Sequence, residues 1–123
     1  MKGKTATFNG KHNESKSLML LAMYKRKKRG LTSGLGLTDL AAIAGISYKY
    51  LKARATRLTK WDYIRREKIK GCLYKCRYYL TARGKRFVEQ TIPKNKYIEY
   101  SIKLDDHWDN LNNNPKYWKL LNG

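Results

Sequence analysis

Hydrophobic positions in the middle of the chain repeat at the spacing of two short, consecutive amphipathic helices. In the first segment, Leu40 and Ile43 lie three residues apart. In the second, which we predict to be a helix over residues 48–60, Leu51, Ala55 and Leu58 recur at i, i+4 and i+7. Polar side chains fill the opposite face of the second segment. The pattern therefore predicts two helices that share one buried side.

Residues with special backbone preferences mark the ends of both helices. Thr38 is expected to cap the first helix, and Ser47 the second, because their hydroxyls can accept a hydrogen bond from the first turn. Gly45 suits the left-handed conformation that commonly ends a helix. Asp62 follows the second helix as a residue type that tolerates positive φ. Together these residues predict a helix-turn-helix whose junction reads Gly-Ile-Ser.

Two extended segments follow and predict a basic β-hairpin. A loop of residues 70–72 gives a register with apolar opposite apolar and acid opposite base. That register pairs Ile69 with Leu73, Glu67 with Lys75, and Ile64 with Tyr78. A two-residue loop would pair Ile64 with Arg77 instead, which is less favourable. Residues 35–37 are candidates for a short third strand.

The remaining segments are predicted from weaker patterns. We expect residues 1–12 to be flexible without a partner, and a first helix capped by Asn13 or Ser15 to run to Arg29. Its apolar stripe is Leu18, Leu21 and Ala22, and Gly30 follows as the residue after its end. Thr81 is expected to cap a later helix that contains Phe87 and Val88.

Residues 92–123 have a different character. The segment 96–104 alternates apolar and polar residues as a strand would, residues 105–111 predict a short helix, and residues 112–123 predict a loop with an aromatic end. Trp108 and Trp118 are too apolar for a free tail, so this segment is expected to pack on the core or on a second subunit. The chain thus divides into residues 1–12, 13–91 and 92–123.

These elements define an α+β fold class: a winged helix-turn-helix with a three-helix core, a two- to three-stranded wing and an additional C-terminal segment. At 123 residues the chain forms one domain with a short appended segment. A chain of this length can bury a modest hydrophobic core, but it is too short to form a large enzyme cleft.

Charge is concentrated on the predicted helix-turn-helix. The formal net charge is +19, of which residues 1–91 contribute +18, from 23 basic and 5 acidic side chains, and residues 92–123 contribute +1. A charge of this sign and size indicates a polyanionic partner, and taken alone it fits DNA, RNA or an anionic membrane.

Other function classes have little support. We expect no membrane span and no signal peptide, because the chain has no long apolar run and its N-terminus is polar, so an intracellular, nucleoid-associated location is expected. Cys72 and Cys76 lie too far apart in a strand to bridge. His107 beside Asp105, Asp106 and Asp109 is more typical of a solvated helix start than of a metal site. The absence of a phosphate-binding loop or an HExxH motif argues against an enzyme, and we expect no cofactor.

The segment reading LTDLAAIAGIS, then a helix ending LTKWDYI, then a hairpin ending YYLTARGKRFVE, resembles the winged-helix transcriptional regulators. Small archaeal and phage repressors and the multiple-antibiotic-resistance-regulator type are the most similar by eye. The resemblance covers about residues 15–90. Asp62 stands where the family usually has Gly, and Ala53 and Ala55 are smaller than the family's usual residues.

The resemblance implies that the helix over residues 48–60 reads the major groove, while the wing over residues 65–79 contacts phosphates or the adjacent minor groove. Lys49 and Lys52 are the candidates for guanine contact. The full candidate DNA-binding set is Ser47, Tyr48, Lys49, Tyr50, Lys52, Thr56, Arg57, Lys60, Arg66, Lys68, Lys70, Lys75 and Arg77. The basic run over residues 25–29 is a further candidate cluster.

The expected function is sequence-specific binding of double-stranded DNA by a homodimeric transcription regulator, with no small-molecule effector evident. Two alternatives stay open at this point. One is an architectural, nucleoid-type protein that binds by charge and shape. The other is an RNA- or ribosome-associated winged-helix protein.

Overall fold

The computed structural model describes residues 2–71 and 75–123, and for residues 2–13 it describes the backbone alone. The fold combines helices with one small antiparallel sheet, whose first strand is exposed beyond Ile64. In chain order the elements are α1 (Lys2–Lys28), α2 (Leu37–Ala44), α3 (Tyr48–Lys60), β1 (Ile64–Lys68), β2 (Cys76–Leu80), α4 (Ala82–Arg86) continuing into a π-helical segment (Phe87–Thr91), α5 (Lys94–Leu111) and α6 (Pro115–Asn122).

The helix-turn-helix formed by α2 and α3 is confirmed. Gly45 ends α2 in the left-handed conformation, with φ of 71°, and Ser47 occupies the N-cap position of α3. Leu51, Ala55 and Leu58 are buried, as their spacing predicted. The predicted cap at Thr38 is wrong, because α2 begins two residues earlier than that cap implies: Gly36 is the N-cap, and its carbonyl accepts the hydrogen bond from the Leu40 amide.

The wing is a hairpin of β1 and β2, and the candidate third strand over residues 35–37 is reduced to a single β-bridge at Leu35. Leu35 pairs with Tyr78 through backbone hydrogen bonds in both directions, of 2.8 and 3.0 Å. This arrangement completes an α+β winged helix-turn-helix fold. The wing tip, residues 72–74, lies outside the described residues, and with it the predicted partners Cys72 and Leu73.

The predicted register of the wing is wrong. Ile64 pairs with Leu80 rather than with Tyr78, and Glu67 pairs with Arg77 rather than with Lys75. The pairing is therefore shifted by two residues, and the connecting loop is longer than three residues.

The base of the hairpin accounts for this shift. The Thr81 amide donates to the Tyr63 carbonyl, and the Thr81 hydroxyl donates to the Asp62 carbonyl. Asp62 has φ of 66°, as predicted, and turns the chain from α3 into β1. Gly84 lies so close to the residue before β1 that a Cβ added to it would be 2.2 Å from the Tyr63 carbonyl oxygen. Contacts at the base, rather than matching of side chains across the strands, set the register.

Helix α1 is the centre of the core. Leu18, Leu21 and Ala22 are buried as predicted, and Met19 and Leu20 are buried as well, so this part of the helix is enclosed on all sides. The helix begins at Lys2 instead of at Asn13 or Ser15. Gly30 follows its end with φ of 83°. The expected flexibility of residues 1–12 without a partner stays a prediction.

The C-terminal quarter is helical, and the predicted strand over residues 96–104 and loop over residues 112–123 are wrong. Tyr100, Leu104 and Trp108 are buried at i, i+4 and i+8 on one face of α5, while Ile98 and Ile102 lie exposed on another. Apolar residues on two helix faces produced an apparent alternation that imitates a strand. The Trp108 indole N–H donates to the Ile43 carbonyl at 2.7 Å, which fastens α5 to the end of α2.

Two arginines at the end of α1 hold α6 in place. The Arg26 guanidinium donates to the Leu120 carbonyl at 2.7 Å, and the Arg29 guanidinium donates to the Leu121 carbonyl at 2.8 Å. These carbonyls lie in the last turn of α6, where helix carbonyls lack partners within the helix and cations are favoured. None of the helices in the described part of the chain has the length and hydropathy needed to cross a bilayer.

Replacing Trp108 by Ala should lower the free energy of unfolding by about 3–5 kcal/mol, because it removes a fully buried ring and leaves the Ile43 carbonyl without its donor. Trp118→Ala is the matched control, since that ring is 48% exposed. Urea denaturation followed by circular dichroism measures both. Equal losses in the two variants would contradict the placement of Trp108 in the core.

Candidate nucleic-acid interface

A groove of about 530 Å³ separates the exposed face of α3 from the wing. Tyr48, Lys52 and Thr56 form the α3 wall, at i, i+4 and i+8 along the helix. The opposite wall contains Arg66, Lys75 and Arg77 from the hairpin, and residues 36–39 close one end. Cationic side chains from both elements therefore face one space.

The exposed surface of α3 is wider than this groove wall. The buried residues fix the rotation of the helix, so the positions farthest from the core are Lys49, Ala53, Thr56 and Lys60, all exposed and spaced at i, i+4, i+7 and i+11. Tyr50 and Arg57 lie on the flank away from the groove. We call Lys49, Lys52, Ala53 and Thr56 the reading face. Sequence reasoning missed Ala53, although its helical spacing from Lys49 was a usable signal.

The Tyr78 side chain forms part of the groove floor. Burial raises the pKa of its hydroxyl, and a hydrogen bond with the Arg66 guanidinium opposes that change. The ring is 7% exposed, and its own backbone pairs with Leu35. Arg66 is thus held at the floor of the groove by a neutral partner, so its positive charge is not cancelled.

The wing's acidic residue is neutralised. The Glu67 carboxylate forms an ion pair with the Arg65 guanidinium, with 3.0 Å between nitrogen and oxygen. The same guanidinium stacks over the Tyr79 ring, 4.7 Å from its centroid. Arg65 and Glu67 alternate with Arg66 along β1, so they lie on the other face of the hairpin. Arg66 therefore faces α3 without a carboxylate beside it on its own strand face.

Arg77 is anchored as well as exposed. Its guanidinium donates to the Gly34 carbonyl at 3.1 Å, which ties β2 to residues 29–36, the connector between α1 and α2. A Cβ at Gly34 would lie 2.7 Å from the Arg77 Cβ and 2.6 Å from the Tyr79 ring. Glycine is required here because the connector and the hairpin approach so closely.

All thirteen candidate residues are exposed, but the groove gathers only part of the set. Six line the groove: Tyr48, Lys52, Thr56, Arg66, Lys75 and Arg77. Ser47, Lys49 and Tyr50 lie at the start of α3, Arg57 and Lys60 lie in its second half, and Lys68 and Lys70 lie towards the wing tip. The Ser47 side chain makes no capping hydrogen bond.

Three residues of the basic run over residues 25–29 make contacts within the fold, whereas Lys27 and Lys28 are exposed, so the run as a further contact cluster stays a prediction. Arg26 is 5% exposed and makes four hydrogen bonds to backbone and hydroxyl oxygens of the connector and α6. Burial lowers its pKa, and the nearby Asp39 carboxylate opposes that effect. Lys25 pairs with Asp105 at 2.8 Å, and Arg29 stacks over Trp108.

No cluster of three or more potential metal ligands occurs among the residues that the structure describes. The His107 ring instead lies against the end of α2, with Nε2 2.5 Å from the Ala42 carbonyl oxygen. This contact joins α5 to the last turn of α2.

Neither a protein-family model nor a curated protein sequence matches the chain. Among solved structures, one similar chain is NadR, whose crystal structure contains 4-hydroxyphenylacetate. The two chains are 21% identical with a TM-score of 0.48, over 90% of this chain and 70% of that one. This likeness assigns no family to the chain.

Replacing Gly34 by Ala should destabilise the wing by about 1–3 kcal/mol, because the new methyl overlaps Arg77 and Tyr79. Gly36→Ala is the matched control, since nothing lies within 4 Å of its added Cβ and its φ is −71°. Hydrogen exchange at the Tyr78 amide measures the effect, and Gly34→Ala should accelerate it. Unchanged exchange would contradict the close approach of connector and hairpin.

Proposed function

We propose that this protein is a transcription regulator that binds double-stranded DNA through α3 and the wing. The observation that supports this best is the groove whose two walls carry Lys52 on one side and Arg66 and Lys75 on the other. A helix-turn-helix places its second helix in the major groove, and a convex helix with an uncovered cationic face meets that requirement. The duplex-binding set comprises the thirteen candidate residues together with Ala53.

Each group of contacts has a separate task. Wing cations and the later α3 residues Arg57 and Lys60 hold phosphates, which supplies affinity and fixes register. The reading face contacts base edges, which supplies specificity. Because phosphate neutralisation releases counterions, binding should weaken steeply with salt, with a log–log slope of about −5 to −9 if 6–10 phosphates are engaged. The proposal includes no small-molecule effector, and it places the protein on the nucleoid.

An architectural protein with the same fold is the second candidate, and the charge of +18 on residues 1–91 favours it. Both candidates predict the same salt dependence. They differ in the ratio of specific to non-specific affinity, which is about 10³ or more for a regulator and near one for a packaging protein. Selection of bound duplexes from a random pool at physiological salt measures that ratio after the enriched sites are compared with scrambled competitors.

Replacing Lys49 and Lys52 together by Glu should weaken duplex binding by about 10²–10³-fold, because both ammonium groups are lost and two carboxylates face the DNA. The Lys116→Glu and Lys119→Glu double variant is the control, since it changes net charge equally on exposed positions of α6. Fluorescence anisotropy with a selected duplex gives both affinities. Equal losses in the two variants would leave general charge, and not the α3 face, as the cause of binding.

We further propose that the protein acts as a homodimer joined through α5. Ile98 and Ile102 lie one turn apart on its outer face and are 52% and 58% exposed. Residues 92–123 carry a net charge of only +1, so two copies can approach there with little repulsion, whereas the other surfaces carry the excess of positive charge. Two-fold symmetry would also place two α3 helices at half-sites one helical turn apart.

Replacing Ile98 and Ile102 by Lys should convert the dimer to a folded monomer, since both side chains are exposed in the single chain. Gln90→Lys with Asn113→Lys adds the same charge at other exposed positions and should leave the dimer intact. Sedimentation equilibrium measures the mass of each. A monomeric unaltered protein, or a dimer that survives the Ile substitutions, would refute the α5 interface.

A further inference from the structure

Most of the hydrogen-bonding side chains of α3 are donors rather than acceptors. The helix Tyr48–Lys60 contains five cationic residues but no Asn, Gln, Asp or Glu. Asn and Gln are the side chains that pair with both the N7 acceptor and the N6 donor of adenine, and Asp and Glu accept from cytosine N4. The side-chain oxygens that α3 does have are the hydroxyls of two Tyr and two Thr residues.

The reading face presents fewer hydrogen-bonding groups than α3 as a whole. The Thr56 hydroxyl donates to the Lys52 carbonyl at 3.2 Å within the helix. Its proton is therefore committed to the backbone. Ala53 contributes a methyl group three residues before Thr56, and both residues are exposed. The reading face thus combines two ammonium donors, Lys49 and Lys52, with two exposed methyl groups and a single acceptor, the Thr56 hydroxyl oxygen.

The surroundings do not supply the missing acceptors. Glu67, the carboxylate of β1, is paired with Arg65 on the far face of the hairpin. Asp39 is the carboxylate among the residues that line the groove, and it lies at the closed end beside the start of α2. Donors therefore dominate the whole surface that faces a duplex.

We propose that the reading face recognises guanine and thymine: Lys49 and Lys52 donate to guanine O6 and N7, and the methyl groups of Ala53 and Thr56 contact thymine C5 methyl groups. Guanine presents two adjacent acceptors in the major groove, which suits an ammonium group. The inference rests on the proposed function and specifies its DNA target. Adenine and cytosine, which present amino donors, meet no carboxylate or amide acceptor on the reading face.

The span of these residues limits the length of the site. From Lys49 to Thr56 the helix advances by seven residue steps, or about 10.5 Å of rise. Base pairs are spaced 3.4 Å apart along a strand, so the reading face reaches about three to four adjacent base pairs. Each half-site should therefore contain a short element in which guanines adjoin thymines.

Base analogues test the proposal without altering the protein. Duplexes enriched from a random pool are remade with 7-deazaguanine, which lacks the N7 acceptor, or with uracil, which lacks the thymine methyl. At the guanines and thymines of the element, we expect losses of about tenfold per guanine and about fourfold per thymine. The same replacements outside the element are the control and should leave affinity unchanged.

A protein variant gives the complementary test. Lys52→Gln supplies the donor and acceptor pair that adenine requires, so preference at one base position should change from guanine to adenine by about tenfold. Lys119→Gln makes the same chemical change on exposed α6 and should leave the preference for guanine unaltered.

The outcomes separate this inference from the function on which it rests. An enriched site that tolerates both base analogues, or a Lys52→Gln variant that keeps the guanine preference, overturns the inference alone. A pool that yields no duplex binding overturns the proposed function and the inference together. Binding without any enriched element overturns sequence reading and favours the architectural candidate.

Discussion

The burial of one face of α3 is the constraint on which the rest of the structure depends. Leu51, Ala55 and Leu58 fill the space between α3 and the helices behind it, and each is at most 1% exposed. A helix has only one rotation that satisfies such a stripe, so Lys49, Ala53 and Thr56 must point away from the core. The chemistry available to a partner is fixed by packing that the partner never touches.

A second set of contacts positions the wing relative to that face. The Leu35–Tyr78 pairing, the Arg77 bond to the Gly34 carbonyl and the Thr81 contacts at the hairpin base hold β1 and β2 beside α3. Arg26, enclosed at the end of α1, donates both to Ser33 of the connector and to Leu120 of α6. The C-terminal helix is therefore joined through a single guanidinium to the connector that pairs with β2.

The sequence was sufficient to predict the structure where the local periodicity of apolar residues agrees with their burial in the core. The bounds of α3, the left-handed Gly45 and the positive φ of Asp62 were predicted, because one helix period and residue-specific backbone preferences determine them. It was insufficient where distant contacts decide. The wing register depends on Thr81 and Tyr78 meeting other parts of the chain, and no strand pattern contains that information.

The C-terminal quarter shows the same limit from another side. The exposed Ile98 and Ile102 alternate in sequence with the buried Tyr100 and Leu104, and this alternation is also the pattern of a strand. Packing of α5 against α1 and α2 decides in favour of the helix, and the local sequence does not contain that information. Likewise, Arg26 looked like one of five surface cations, and only the folded chain shows it enclosed. At the candidate site, all thirteen predicted residues are exposed, as contact with a partner requires. Their contact with a duplex is part of the proposed function.

Chemical-shift mapping of backbone amides on addition of a selected duplex tests the central claim most directly. We expect the largest changes over residues 48–60 and along β1 and β2, with little change at Ile98 and Ile102 on α5. Changes concentrated on α5 and α6, with the amides of α3 unaffected, would contradict the account.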